Sequence, residues 1–154
     1  MRVGMGADHA GFAMKETLAR TLAEQGIAVT DFGTHNEDPV DYPDYSAAVA
    51  RAVRDGRVDR GIVVCGSGAG AAIAANKVRG IRASQGTDTY TAHQSVEHDD
   101  VNVLCLGSRV TGIALATEIV EAFLAADFTR EERHLRRLNK VLTLEDEEFG
   151  TPRN

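Results

Sequence analysis

Apolar positions along the chain fall into short runs separated by amphipathic stretches, and the alternation repeats from end to end. Residues 2–7 read as a strand that stops at Asp8-His9, because Phe12, Leu18 and Leu22 beyond Gly11 follow one helical face. Gly26 ends that helix. The β-branched and aromatic run 27–33, bounded by glycine at each side, predicts a second strand. Residues 34–45 hold two of the three prolines and no helical period, so they read as a surface connection. A helix rich in Ala and Val follows from about 46 to 54 and is stopped by Asp55-Gly56. The third strand, 60–65, is apolar on both faces, as a parallel sheet covered by helices requires.

The pattern then recurs: a glycine-rich turn at 66–70, a helix through Asn76, a strand from Gly80 and a helix including Tyr90 to Val96. Another apolar strand follows His98-Asp99-Asp100, then a helix over 113–125 and a charged segment, TREERHLRRLNK, that closes the ordered chain. Five strands alternating with helices predict one α/β domain, a three-layer α/β/α sandwich of Rossmann-like type around a five-stranded parallel sheet, with right-handed crossovers. The order of the strands is not legible, and no domain linker is visible.

Composition narrows the function. A chain of 154 residues suits one core, with roughly 70% of its surface removable from water. A formal charge of -6 argues against nucleic-acid and membrane-surface partners. No stretch approaches the ~20 apolar residues of a membrane span, and the start MRVGMGADHAG lacks the zones of a secretion signal. Cys65 and Cys105 lie in or beside apolar runs without disulfide or zinc spacing, so the expected home is the reducing cytoplasm.

Ligands of such sheets bind beyond the carboxyl ends of the strands. That rule selects Asp8-His9, the Tyr42 region and CGSGAG. His98 precedes its strand, so it joins them only if the chain folds it back or a neighbouring subunit supplies it. In CGSGAG, Cys65 ends a buried strand, and Gly66, Gly68 and Gly70 let main-chain N–H groups approach an anion closely. An inert buried thiol beside a tight packing turn is an equal reading of this stretch alone. Gly66, Gly68 and Ala71 also fit a dinucleotide fingerprint, but the turn follows the third strand, and Ser84-Gln85 stand where a ribose-binding carboxylate belongs. His98-Asp99-Asp100 with His9, His35, His93 and His134 could suggest a metal, yet no pair has i, i+4 or H-x-H spacing. Neither metal nor cofactor is expected. Arg133 and Arg137 share a helical face and suit a phosphate, although a solvated face paired with Glu131, Glu132 or the acids of 145–148 is the plainer account of such a run.

Taken in order, DHAGFAMK (8–15), DFGTH (31–35), VDYPDY (40–45), CGSGAGAAIAANKVRGIRA (65–83), EHDDVNVLCLGSRVTG (97–112) and RHLRR (133–137) form a specific series. By these motifs the chain resembles the ribose-5-phosphate isomerase B family, which also contains galactose-6-phosphate isomerase subunits. The resemblance spans nearly everything to Val141, giving an isomerase domain of 1–141 and a C-terminal tail of 142–154.

It implies a metal-independent aldose-ketose isomerase acting on ribose 5-phosphate and ribulose 5-phosphate through an enediol. It also implies a homodimer, often paired further into a tetramer, whose sites are shared between subunits. By motif position Cys65 matches the residue that shuttles a proton between the first two carbons, and Ser67 a hydroxyl that assists it. His98 matches the residue that helps open the sugar ring, with Asp8 near the ring hydroxyl. The amides of Gly66, Ser67, Gly68, Ala69 and Gly70 match an anion hole; His9, Arg133 and Arg137 match phosphate contacts; Tyr42 and Arg109 match further substrate contacts. Asp99 departs from the asparagine common in the family, which opens tetrose and hexose phosphates as alternative substrates. A non-catalytic phosphosugar-binding module would lack a proton-transfer group, and Cys65 speaks against it.

Overall fold

The apolar runs form strands β1 (Arg2–Ala7), β2 (Ala28–Asp31), β3 (Arg60–Cys65), β4 (Ala83–Gln85) and β5 (Val103–Gly107). Helices α1 (Phe12–Glu24), α2 (Tyr42–Arg54), α3 (Ala69–Ala75), α4 (Thr89–Asp99), α5 (Ile113–Ala125) and α6 (Glu132–Phe149) follow or separate them. In this computed structural model, which describes residues 1–150, the strands pair in parallel in the order β2-β1-β3-β5-β4.

Alternation along each central strand builds the three layers. Val3, Met5, Ile62, Val64, Leu104 and Leu106 pack with Leu18 and Leu22 of α1, Ala92 and Val96 of α4, and Ile119 and Phe123 of α5. The intervening residues Val63, Cys65, Val103 and Cys105 pack on the other face against Val49 of α2 and Ala71 and Ala75 of α3. Both faces of β3 and β5 are thus covered, which is why their sequences are continuously apolar. The connection from β1 leads to β2 on one side while β3 lies on the other, so a crevice opens between the carboxyl ends of β1 and β3.

Strand β2 is shorter than the predicted 27–33, and four further boundaries differ from those the pattern predicts. Helix α2 starts at Tyr42 rather than near 46, because Pro43 occupies its first turn, where a missing N–H costs nothing and the fixed φ is already helical. Strand β4 begins at Ala83 rather than at Gly80, which has a φ of +79° and donates its N–H to the Glu145 carboxylate at 2.9 Å. Helix α4 continues through His98 and Asp99 and ends at Asp100 in a left-handed conformation, φ 52°. Helix α6 passes Val141 unbroken to Phe149, so residues 142–149, which read as a tail, are helical. Glu145 on Gly80 and an Arg79–Asp146 ion pair tie that half of α6 to the turn before β4. The rest of the expected tail, 151–154, lies outside the described residues.

Candidate active site

The crevice beyond β1 and β3 is a cleft of about 330 Å³ lined by Asp8, Tyr42, Cys65, Gly66, Ser67, Gly70, Arg109 and Val110. Cys65 ends β3, and its Sγ accepts the N–H of Gly68 at 3.1 Å. This contact needs the left-handed φ of +83° at Gly68, where a Cβ would also stand 3.1 Å from the Leu106 carbonyl carbon. The end of β5 backs the same loop: Ser108 N–H donates to Cys65 O at 2.9 Å and Arg109 N–H to Gly66 O at 3.0 Å. Gln85 Nε2 donates to Ser67 O at 2.6 Å, and Ser67 Oγ accepts from Ala69 N–H at 3.3 Å. The amides of Ser67 and Gly70 find no acceptor among the described residues, so fixed donors stand beside the thiol without an internal partner.

Asp8 is nearly buried, and its Oδ1 takes the N–H of Gly11 at 3.0 Å, which aims the carboxylate across the end of β1. His9 Nδ1 lies 3.1 Å from Val40 O and 3.2 Å from Val40 N, pinning the connection that leads into α2. Tyr42 opens that helix and stands against Gly70, where a Cβ would come within 2.8 Å of its ring. The second thiol is chemically distinct. Cys105 is fully enclosed beside Val63, and burial pushes its pKa well above the ordinary thiol range, so it stays protonated.

A second group of side chains gathers at the other edge of the sheet. His98 and Asp99 end α4 just before β5, whereas Cys65 is in register with Gly107 at the far end of β5. About 13 Å of strand separates the two edges, so one chain does not bring His98 to Cys65. The His98 ring stacks on that of His134 in α6, centroids 4.1 Å apart and planes inclined 29°. His134 Nδ1 is 2.6 Å from Thr129 Oγ1, and burial first, then the neighbouring His98 and Arg133, holds its pKa below the usual imidazole value. Arg133 and Arg137 flank it on α6. Arg133 Nε donates to Glu131 Oε2 at 2.9 Å on the surface, while Arg137 is exposed without an ion pair among the described residues.

The expected residues therefore fall into two clusters: Asp8, His9, Tyr42, Cys65 to Gly70 and Arg109 at the carboxyl edge, and His98, Asp99, Arg133 and Arg137 at the amino edge. Gln85, Val110 and His134 also belong to these surroundings and were not among the expected site residues; the sequence named His134 only in a metal set that was set aside, and Gln85 only as standing where a ribose-binding carboxylate would be. The signal for His134 was its place one helical turn before Leu138, the half-buried apolar position of α6. Among the described residues, no three His, Cys, Asp or Glu side chains converge as metal ligands would.

Comparison with known proteins places almost the whole chain in a family. The model of the Ribose/Galactose Isomerase family matches residues 3–141. Ribose-5-phosphate isomerase B of Escherichia coli is 44% identical over 144 residues, covering 94% of this chain and 96% of that protein. A D-erythrulose-4-phosphate isomerase of Pectobacterium atrosepticum is 42% identical over 130 residues, covering 83% and 85%. The solved structure of Clostridium thermocellum ribose-5-phosphate isomerase B superposes with a TM-score of 0.93 at 48% identity, covering 96% of this chain and 99% of that one. With a cysteine-tipped central strand, a glycine-lined cleft and a family match over almost the whole chain, the protein belongs to the ribose/galactose isomerase family.

Proposed function

We propose that the protein is an aldose-ketose isomerase that interconverts ribose 5-phosphate and ribulose 5-phosphate. The observation that carries this reading is the Cys65 thiol at the tip of β3, facing a cleft whose glycine loop offers unpartnered amides. A proton alpha to a carbonyl is weakly acidic, so removing it requires fixed donors at the oxygen that becomes negative. Cys65 takes the proton from carbon 2 of the opened aldose and returns it to carbon 1. The hydroxyl proton of carbon 2 moves to the oxygen of carbon 1, and the ketose results with no net redox change. Ser67 assists beside the thiol, and the amides of the 66–70 loop that lack an internal acceptor, those of Ser67 and Gly70, hold the enediolate.

The functional unit of this proposal is a homodimer. Cys65 with Asp8, Tyr42 and Arg109 from one copy would meet His98, Asp99, Arg133 and Arg137 from the other, with His9 joining the arginines at the phosphate. Two features support it: the clusters lie at opposite edges of one chain, and Val141, Leu144 and Phe149 leave an apolar stripe of α6 exposed. Phosphate binding would supply orientation at the remote end of the sugar. A mechanism that depends on a free thiol suits the reducing cytoplasm.

A four-carbon phosphosugar is the second reading, favoured by Asp99, since a carboxylate beside a developing oxyanion selects a different hydroxyl pattern. Comparing kcat/KM over four-, five- and six-carbon aldose phosphates separates the two. Mixing Cys65→Ala with His98→Ala chains tests the shared site. Statistical reassociation makes one intact site in each mixed dimer, so about a quarter of wild-type activity should return from two inactive variants. No regained turnover would end the two-subunit assignment, and no turnover by the unmodified protein on any phosphosugar would end the enzymatic one.

A further inference from the structure

Helix α6 has one fully buried residue, and it is His134. Packing alone would place an apolar side chain there. The imidazole instead leaves Nε2 buried without a hydrogen-bond partner among the described residues, a cost to stability that an apolar side chain would not carry. Its Nδ1 is tied to the last turn of α4. Thr129 donates its backbone N–H to Glu97 O at 3.1 Å, and its Oγ1 also lies 3.1 Å from that carbonyl. A carbonyl only accepts, so a hydroxyl donating to it is left to accept from His134 Nδ1–H at 2.6 Å. Glu97 immediately precedes His98. The ring plane of His134 is thus registered to the turn that carries His98, and its flat face lies 4.1 Å from the His98 ring.

We propose that His134 is a positioning residue that holds the His98 imidazole in the orientation needed to open the sugar ring. The proposal rests on the ring-opening role of His98 in the reading above. One imidazole serving both a ring oxygen and the hydroxyl of carbon 1 has little angular tolerance, and misplacement by 1 Å costs up to about a hundredfold. The His98 side chain is only half-buried and has no hydrogen bond among the described residues. The His134 ring stacks on it and limits its rotation.

The experiment compares two reactions of the same full-length protein. Turnover of ribose 5-phosphate requires ring opening. Exchange of solvent deuterium into carbon 1 of ribulose 5-phosphate does not, because that ketose has its terminal hydroxyl esterified and cannot close a five-membered ring. The ratio of the two rates is insensitive to the fraction of chains that fold. His134→Ala should lower it about tenfold or more, and His134→Phe, which keeps a flat ring but loses the bond to Thr129, should recover only part of that loss. A wild-type ratio in His134→Ala overturns the positioning role. His98→Ala is run alongside. An unchanged ratio there removes the ring-opening role itself and the inference with it, whereas a lowered ratio there with no change at His134 rejects the inference alone.

Discussion

Gly107 and Ser67 pack backbone against backbone: a Cβ on Gly107 would stand 2.6 Å from both the carbonyl carbon and the carbonyl oxygen of Ser67. Main chain on both sides cannot rotate away as a side chain can. The end of β5 therefore acts as a template for the loop that presents the thiol and its amides. Gly107→Ala should displace Ser67 and lower kcat/KM about a hundredfold, with an overpacking cost of about 1–3 kcal/mol. Gly70→Ala gives the contrast, since its Cβ would meet the exposed ring of Tyr42, which can swing aside. Melting and steady-state rates of the two variants check this, and equal losses would remove the template role of β5.

The two thiols should behave oppositely. Cys65 borders the cleft, whereas Cys105 is sealed and kept protonated by burial. A thiol reagent should inactivate the enzyme through Cys65 at one equivalent, with phosphosugar protecting, while Cys105 is labelled only on unfolding. Cys65→Ala should lower turnover by about 10²–10⁴ and leave phosphosugar affinity nearly unchanged. Peptide mapping and a binding titration decide it. Inactivation that tracks Cys105, or retained turnover in Cys65→Ala, would take the thiol out of the chemistry.

The carboxyl-edge cluster was legible in the chain because Asp8 and Cys65 stand at the ends of strands, and short, continuously apolar runs broken by an acidic residue or glycine are easy to recognise. Strands β1 and β3 and helix α5 match their predicted bounds. What the pattern hid was tertiary. Tyr42 looked like loop because Pro43 breaks helical periodicity on paper but not in a first turn. Whether His98 lies near Cys65 depends on the direction of α4 relative to the sheet, which no local propensity encodes. His134 was masked by the four arginines of its neighbourhood, which made the whole segment look solvated.

Lys15 is completely buried in α1, with Nζ 2.6 Å from Asp31 Oδ2 and 2.9 Å from Glu16 Oε1. Asp31 is about one-third exposed and also accepts Gly33 N–H at 2.8 Å. The pair is asymmetric. Asp31→Ala leaves the enclosed ammonium with the half-exposed Glu16 carboxylate alone and should cost the more, up to about 3 kcal/mol, whereas Lys15→Met leaves a carboxylate that reaches water and should cost about 1 kcal/mol or less. Denaturant unfolding of both variants tests the ordering, and a larger loss in Lys15→Met would reverse it.

Protonation of His134 links the amino-edge cluster to stability. In the fold its pKa lies below the ordinary 6.5 because burial disfavours the cation, and His98, Arg133 and Arg137 push the same way against the opposing pull of Glu131. The unfolded chain regains the ordinary value. Above about pH 6.5 both states are neutral and the group has no effect; as pH falls below that, the unfolded state takes up a proton that the folded state refuses. Stability should therefore drop from neutral pH toward pH 5 more steeply in wild type than in His134→Phe, by up to one proton in the slope. The comparison cancels the carboxylates, which titrate alike in both proteins. Urea midpoints at half-unit pH intervals measure it, and parallel profiles would mean that His134 accepts its proton within the fold as readily as in water.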